Sequence, residues 1–279
     1  LEQKVSLPSQ IYSDGERSMQ PCILAKNITH INGIHSFTSG SLSNDMIICG
    51  LLSSIPLDYT VRCGGKSNMH KSTIYSLPIP KKITKRLGDE IIIRTFLLNS
   101  IGGCLPPDDI NVQQESEGFW SPLLGQPLLG LFAKALSMQT LILSDLDRML
   151  LQMEIDVLSA RSFGLKIENL IAIYREGFHV LMANDAETFY DYDGKIIFTV
   201  NRGLPGVGLP RKGNKKLAQI GWTEAQQMES VTVDQYDEGL ETNLEEGFRQ
   251  VSYSAPFETC DRVKSYVKAW EFFEREGIN

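Results

Sequence analysis

The sequence predicts an α+β chain: a small β/α part, then a helical-hairpin part with β-hairpins and a closing C-terminal helix. Three observations predict it. Short β-branched runs bounded by turn residues recur in both halves. Between them lie longer segments with apolar residues at helical spacing. A glycine- and proline-rich stretch at 102–130 separates the two sets, so the expected division is 1–104 and 105–279.

The elements follow in order. "PCILAKNITHI" and "GIHSFTSG" read as two short strands, with Asn32–Gly33 as a hairpin signal. Ser43 or Asn44 is the expected cap of a helix carrying Met46, Ile47, Leu51 and Leu52. Pro56 suits the first turn of a following short helix that Gly64–Gly65 end. "STIYSLPIPKK" is expected to be extended, because its prolines break helix and ladder alike. "LGDEIIIRTFLLNS" is a helix with Ile92, Thr95, Phe96 and Asn99 on one face. Leu143, Leu146, Leu150, Met153 and Val157 form a helical seam too short for an independent coiled coil. "KIENLIAIYREGFHVLMAN" is a second helix, expected to pack on it as a hairpin. "TFYDYDGKIIFTVN" is a β-hairpin turning at Asp193–Gly194, "SVTVDQY" and "RQVSYSAPF" are strands, and "CDRVKSYVKAWEFFERE" closes the chain as an amphipathic helix. No internal repeat is present.

Composition narrows the class. No run approaches the roughly 18 apolar residues of a membrane span, and the opening "LEQKVSLPSQ" lacks a signal-peptide core, so a cytoplasmic protein without a membrane partner is expected. The absent initiator Met suggests a piece of a longer chain. Five scattered cysteines (Cys22, Cys49, Cys63, Cys104 and Cys260) and four histidines (His30, His35, His70 and His179) show no metal-ligand spacing. Net charge is −7, yet basic residues cluster. Arg62, Lys66, Lys71, Lys81, Lys82, Lys85, Arg86 and Arg94 face only Asp89 and Glu90 within 62–94. A second island, Arg202, Arg211, Lys212, Lys215 and Lys216, contains no acid. Such islands suit a locally anionic partner, because phosphate attraction acts within about 10 Å.

Several motifs fail on chemistry. "NRGLPGVGLPRKGNKK" follows a strand, but Asn214–Lys215 stands where a P-loop needs Lys–Ser/Thr. Its Gly203, Gly206 and Gly208 reverse the dinucleotide order, and Pro205 and Pro210 remove N–H donors. Asp193 and Lys195, with Asp185 or Glu187 upstream, spell part of a nuclease metal site but read better as a turn. Cys63 with His70, His179, and the Tyr174–Arg175 pair read as structural residues. The strongest signal is "YTVRCGGKSNMHKSTIYSLPIPKK", which sets Arg62, Lys66, Asn68, His70, Lys71 and Tyr75 on a glycine-loosened loop. Lys and Arg suit phosphates, while Arg, Asn and His suit base edges.

"MIICGLLSSIPLDYTVRCGGKSNMHKSTIYSLPIP" resembles the C-terminal target-recognition region of large bacterial adenine-N6 DNA methyltransferases of restriction–modification and phage-defence systems. That region has a helix, D-Y-x-x-R, a polar loop and L-P-x-P. "QMEIDVLSARSFGLKIENLIAIYREGFHVL", "TFYDYDGKIIFTVNRGLPGVGLPRK" and "YSAPFETCDRVKSYVKAWEFFERE" are similar to that group's closing blocks, so the resemblance covers about residues 20–279. The family's N-P-P-[YF] tetrapeptide and its glycine loop for S-adenosylmethionine are missing: "CLPPDDI" has no Asn before its prolines and no aromatic after them.

The resemblance therefore implies the DNA-reading portion of an adenine-specific methyltransferase, inactive alone, with S-adenosylmethionine and base flipping left to a catalytic domain of the same parent chain. Double-stranded DNA is the implied partner. Arg62, Lys66, His70 and Lys71 would approach it, with Asn68 at an adenine edge. Lys81, Lys82, Lys85 and Arg86 would hold phosphates, and Arg202, Arg211, Lys212, Lys215 and Lys216 would add a second backbone contact. No catalytic or metal residue is expected in this chain. Two alternatives stand beside it: a protein-interaction module of a defence complex using the 143–157 seam and "AWEFFERE", and a Mg²⁺-dependent nuclease using Asp193 and Lys195.

Overall fold

In the computed structural model the described residues are 2–12, 15–100, 104, 106, 118–136, 143–214, 219–236 and 248–279. The fold is α+β: helices dominate, with one three-stranded and three two-stranded antiparallel sheets among the described residues. In chain order the elements are β1 (Lys4–Pro8), β2 (Cys22–Leu24), β3 (Ile34–Phe37), α1 (Leu42–Ser53), α2 (Ile55–Cys63), α3 (Lys71–Tyr75) and α4 (Lys85–Asn99). Then come β4 (Trp120–Ser121), β5 (Gln126–Pro127), α5 (Leu128–Leu136), α6 (Asp145–Ser162), α7 (Ile167–Gly177) and α8 (His179–Ala186). The chain finishes with β6 (Phe189–Tyr190), β7 (Ile196–Phe198), α9 (Trp222–Ala225), β8 (Ser230–Tyr236), β9 (Phe248–Ser254) and α10 (Arg262–Arg275).

Two compact units result. The first gathers 1–142, 148–182 and 262–279, and the second 143–147 and 183–261. The expected border at 104–105 falls inside the first unit.

In the first unit, β2 and β3 do not pair as the Asn32–Gly33 signal suggested. Each pairs instead with β1, giving the order β2–β1–β3. Val5, Ser6 and Leu7 of β1 are all buried, as befits the central strand of the sheet. Helix α1 is capped two residues before the expected Ser43, by Ser41, whose side chain accepts from the Asn44 amide. It packs closely on α4 because Gly50 leaves room: a Cβ there would meet Thr95 Oγ1 at 2.5 Å and Ile91 Cγ2 at 2.6 Å. Helix α4 is buried on nearly every side, not on one face. Pro56 does occupy the first turn of α2. "KSTIY" is a short helix, and the extended segment begins only at the prolines after it.

The polar core of this unit hangs on α6. Asp156, fully buried, accepts Arg17 in two hydrogen bonds (3.1 and 2.8 Å), the Ile55 amide (2.9 Å) and the Tyr266 hydroxyl (2.7 Å). Glu154, two residues earlier and also fully buried, accepts Arg94 Nε (2.6 Å), Ser121 Oγ (2.5 Å) and the Leu123 amide (2.9 Å). Arg94 is completed by Glu90 (2.5 Å) and the Trp120 carbonyl (3.0 Å). Each buried charge is thereby paired, the condition under which burial is tolerated. The predicted second long helix is two, α7 and α8, broken at Phe178, a fully buried ring.

The second unit has its own aromatic core. Trp222 stacks on Phe198 (centroids 5.6 Å apart, 7° between planes), among Ile197, Leu209, Val231 and Tyr253. Its expected hairpins form: β6–β7 turns through Asp193–Gly194, and β8 pairs with β9 across seven residues a side. Asp191, almost fully buried, stitches the first turn by accepting the amides of Asp193 (3.1 Å) and Lys195 (2.8 Å).

Candidate nucleic-acid interface

The first basic island lies wholly in the first unit, and the fold sorts its residues into two kinds. Arg62 turns inward. Its guanidinium donates to the carbonyls of Gly177 (3.2 Å) and Gly15 (2.8 Å), lies 3.7 Å from Asp58, and stacks 4.2 Å from the Phe178 ring centre. It thereby supplies a cation at the C-terminus of α7, where helix carbonyls lack partners. Burial pushes the Asp58 carboxyl above its usual value, against the opposing pull of Arg62. Arg86 is similarly occupied by Glu90 (3.0 Å), the Gly118 carbonyl and the Phe119 ring. Arg94 is fully buried. Lys85, though exposed, pairs with Asp89 at 2.9 Å, one helical turn on. Sequence counting treats these cations alike because it cannot see which way a side chain points.

The second kind faces solvent. Between α2 and α3 the chain is pinned from behind: the Ile11 amide donates to Ser67 O (2.9 Å) and the Met69 amide to Ser9 O (2.7 Å). Gln10 and Asn68 form a β-bridge, and Met69 is almost completely buried as an anchor. On this fixed backbone Lys66, Asn68, His70 and Lys71 are exposed. The Lys66 ammonium donates to Thr73 Oγ1 at 3.2 Å, a contact that leaves its charge uncompensated. Lys81 and Lys82, after the last proline of "LPIP", are exposed as well. Lys66, Lys71, Lys81 and Lys82 have no ion-pair partner among the described residues. Beside them lies an apolar groove of about 480 Å³ between α1, α3, the proline segment and β3, with Tyr75 at its lip.

The second island belongs to the other unit. Gly208, at φ +70°, lets the loop press on β7, where a Cβ would meet the Ile197 carbonyl at 2.6 Å. The Leu209 amide donates to that same carbonyl (2.7 Å), and the Trp222 amide to Pro210 O (2.8 Å). The Leu209 amide and the Pro210 carbonyl of the loop are thereby engaged within the unit. Arg211 pairs with Glu187 at 2.7 Å and lies 5.0 Å from the Phe198 ring centre. Arg202 and Lys212 are exposed, and Lys215 and Lys216 lie outside the described residues.

Asp193 and Lys195 pair with each other at 3.1 Å in the turn, and no group of three metal-ligating side chains occurs among the described residues. The 143–157 seam is buried or half-buried along its length, so it offers no exposed stripe. Tyr266, Ala269 and Phe273 likewise bury the inner face of α10 in its own unit. Among the described residues no single helix is long and apolar enough to cross a membrane. The sequence did not mark the buried Arg17–Asp156 and Arg94–Glu154 pairs beyond the acids inside an apolar helix, "MEIDVL". No family model, curated protein or solved structure matches the chain.

Proposed function

We propose that the chain is a DNA-binding, target-recognition portion of an adenine-specific DNA methyltransferase, with the loop 64–71 and the Lys81–Lys82 pair as its DNA surface. One observation carries it. A backbone pinned by two hydrogen bonds to residues 9–11 and by a buried methionine exposes only cations and hydrogen-bonding side chains, with no acid among them. Lys66, Lys71, Lys81 and Lys82 supply phosphate contacts, and Asn68 and His70 supply groups suited to base edges. A fixed loop loses little freedom on binding, which favours a defined register on the duplex. Arg202 and Lys212 of the second unit are assigned a backbone contact of their own. Methyl transfer and S-adenosylmethionine belong to a separate catalytic part, as the resemblance implies.

The test is selection from a random duplex library with the 279-residue chain, followed by fluorescence anisotropy on the enriched duplex. A shared sequence among the recovered duplexes, lost in Asn68→Ala, supports target recognition. Binding without enrichment would reduce the chain to a non-specific DNA binder. No binding at 50 mM salt would refute the reading altogether.

A further inference from the structure

The free edge of β3 opens into the apolar groove of the first unit, and the two together fit an extended peptide. The register of β3 on β1 sets which backbone groups are free. The Ser9 amide donates to Gly33 O at 2.8 Å, and the same register pairs Leu7 with His35 and Val5 with Phe37. In an antiparallel pair, bonded residues alternate with unbonded ones. Gly33, His35 and Phe37 therefore turn their N–H and C=O groups toward β1, and Ile34 and Ser36 turn theirs to the opposite edge. β3 ends its sheet, and no described residue hydrogen-bonds the Ile34 or Ser36 backbone.

Four consecutive residues, His35 to Thr38, line the groove. A groove lying across the face of a strand would meet every second residue; meeting all four places it along the edge. Its floor is apolar, built from Phe37, Leu51, Leu52, Ile74 and Leu77, and its lips are Tyr75 and Ile79, 85% and 83% exposed. Lys71 is among the lining residues, Lys81 and Lys82 continue directly from Pro80 of the lining, and no Asp or Glu lines it. Phosphate binding uses the lysines but leaves both the apolar floor and the open strand edge without a partner.

We infer that this edge binds an extended segment of a partner protein by strand addition, with alternate apolar side chains in the groove and acidic residues against Lys71, Lys81 and Lys82. Main-chain bonds to Ser36 and Ile34 give affinity, and the groove and lysines give selectivity. The inference does not rest on the DNA reading.

The experiment is a displayed library of random decapeptides selected on the full chain, with the recovered peptide resynthesised and measured by calorimetry. Apolar residues at alternate positions with flanking acids are expected. Ser36→Pro removes one of the two outward N–H groups while sparing the bonds to β1, and should weaken the peptide roughly tenfold. It also removes the Ser36 Oγ–His30 contact of 2.8 Å, so His30→Ala, expected to bind normally, is its control. Should Ser36→Pro fail to fold, hydrogen exchange on the unaltered chain decides: the peptide should slow exchange at the Ile34 and Ser36 amides. Failure to enrich any peptide, or a peptide that leaves those amides unprotected, overturns the inference. So does protection of the same amides by duplex DNA alone, which would assign the groove to nucleic acid.

Discussion

Charge removal at the pinned loop has a calculable signature in the salt dependence of DNA binding. Each phosphate neutralised contributes about −0.9 to the slope of log K against log salt. The sequence offers eight cations in the first island, but the fold engages Arg62, Arg86 and Arg94 internally and pairs Lys85 with Asp89, leaving Lys66, Lys71, Lys81 and Lys82. Four contacts account for a slope of about −3.6, equivalent to a loss of roughly 150-fold in affinity between 50 and 200 mM salt. Replacing Lys66 and Lys71 by Ala should make the slope shallower by about 1.8, and replacing all four by about 3.6, whatever the second unit adds. Arg62→Ala should leave the slope unchanged and lower stability instead, since its guanidinium meets carbonyls and a ring rather than solvent. Anisotropy of a labelled duplex titrated at four or five salt concentrations reads these slopes. Equal slope changes for Arg62→Ala and Lys66→Ala, or no change in the double lysine variant, would refute the assignment.

Other outcomes follow from the buried groups. Asp156→Ala takes from Arg17 its carboxylate partner and from the Tyr266 hydroxyl its acceptor, and should cost about 3 to 5 kcal/mol in urea unfolding; a cost below about 1 kcal/mol would contradict the hub. Burial raises the Asp58 carboxyl above its ordinary value of 3.8, so the folded chain holds that proton more tightly than the unfolded one. The group's contribution to stability is accordingly greatest at low pH and declines as pH rises through and above the ordinary value. Wild-type stability should fall relative to Asp58→Asn over that interval, and an opposite trend in paired melts would reject the sign. Burial also pushes the Cys49 thiol far up and that of Cys104 to about 12, whereas Cys22 and Cys63 are exposed. At pH 8 a thiol reagent should modify Cys22 and Cys63 in the native chain and reach Cys49 and Cys104 only after denaturant is added.

Local rules carried much of the architecture. Pro56 at a helix start, Asp193–Gly194 at a hairpin turn and the alternation in "SVTVDQY" each act within a few residues, and each element formed where expected. The failures share a different cause. The Asn32–Gly33 signal was outweighed because β1, more distant in sequence, offered two buried apolar residues to both of its neighbours. The carbonyl of Gly177 at the α7–α8 break accepts from Arg62, 115 residues away. At the candidate site the composition of the loop was legible, but the division of its cations into inward and outward groups was not. That division needs the third dimension, as does the open edge of β3, which exists only because of where β1 and β2 end up.

The three-segment make-up of the first unit has a consequence for how the chain is made. Tyr266 and Phe273 of α10 are fully buried, and Tyr266 donates to the Asp156 hub formed with Arg17 near the other end of the sequence. During translation the second unit, 183–261, emerges before the last piece of the first does. A ribosome paused anywhere short of Arg262 therefore holds a complete second unit and an incomplete first one, whose hub still lacks its hydroxyl and whose α7 still lacks the helix that packs on it. Chaperone engagement of the nascent chain should persist through that interval and end only when α10 clears the exit tunnel.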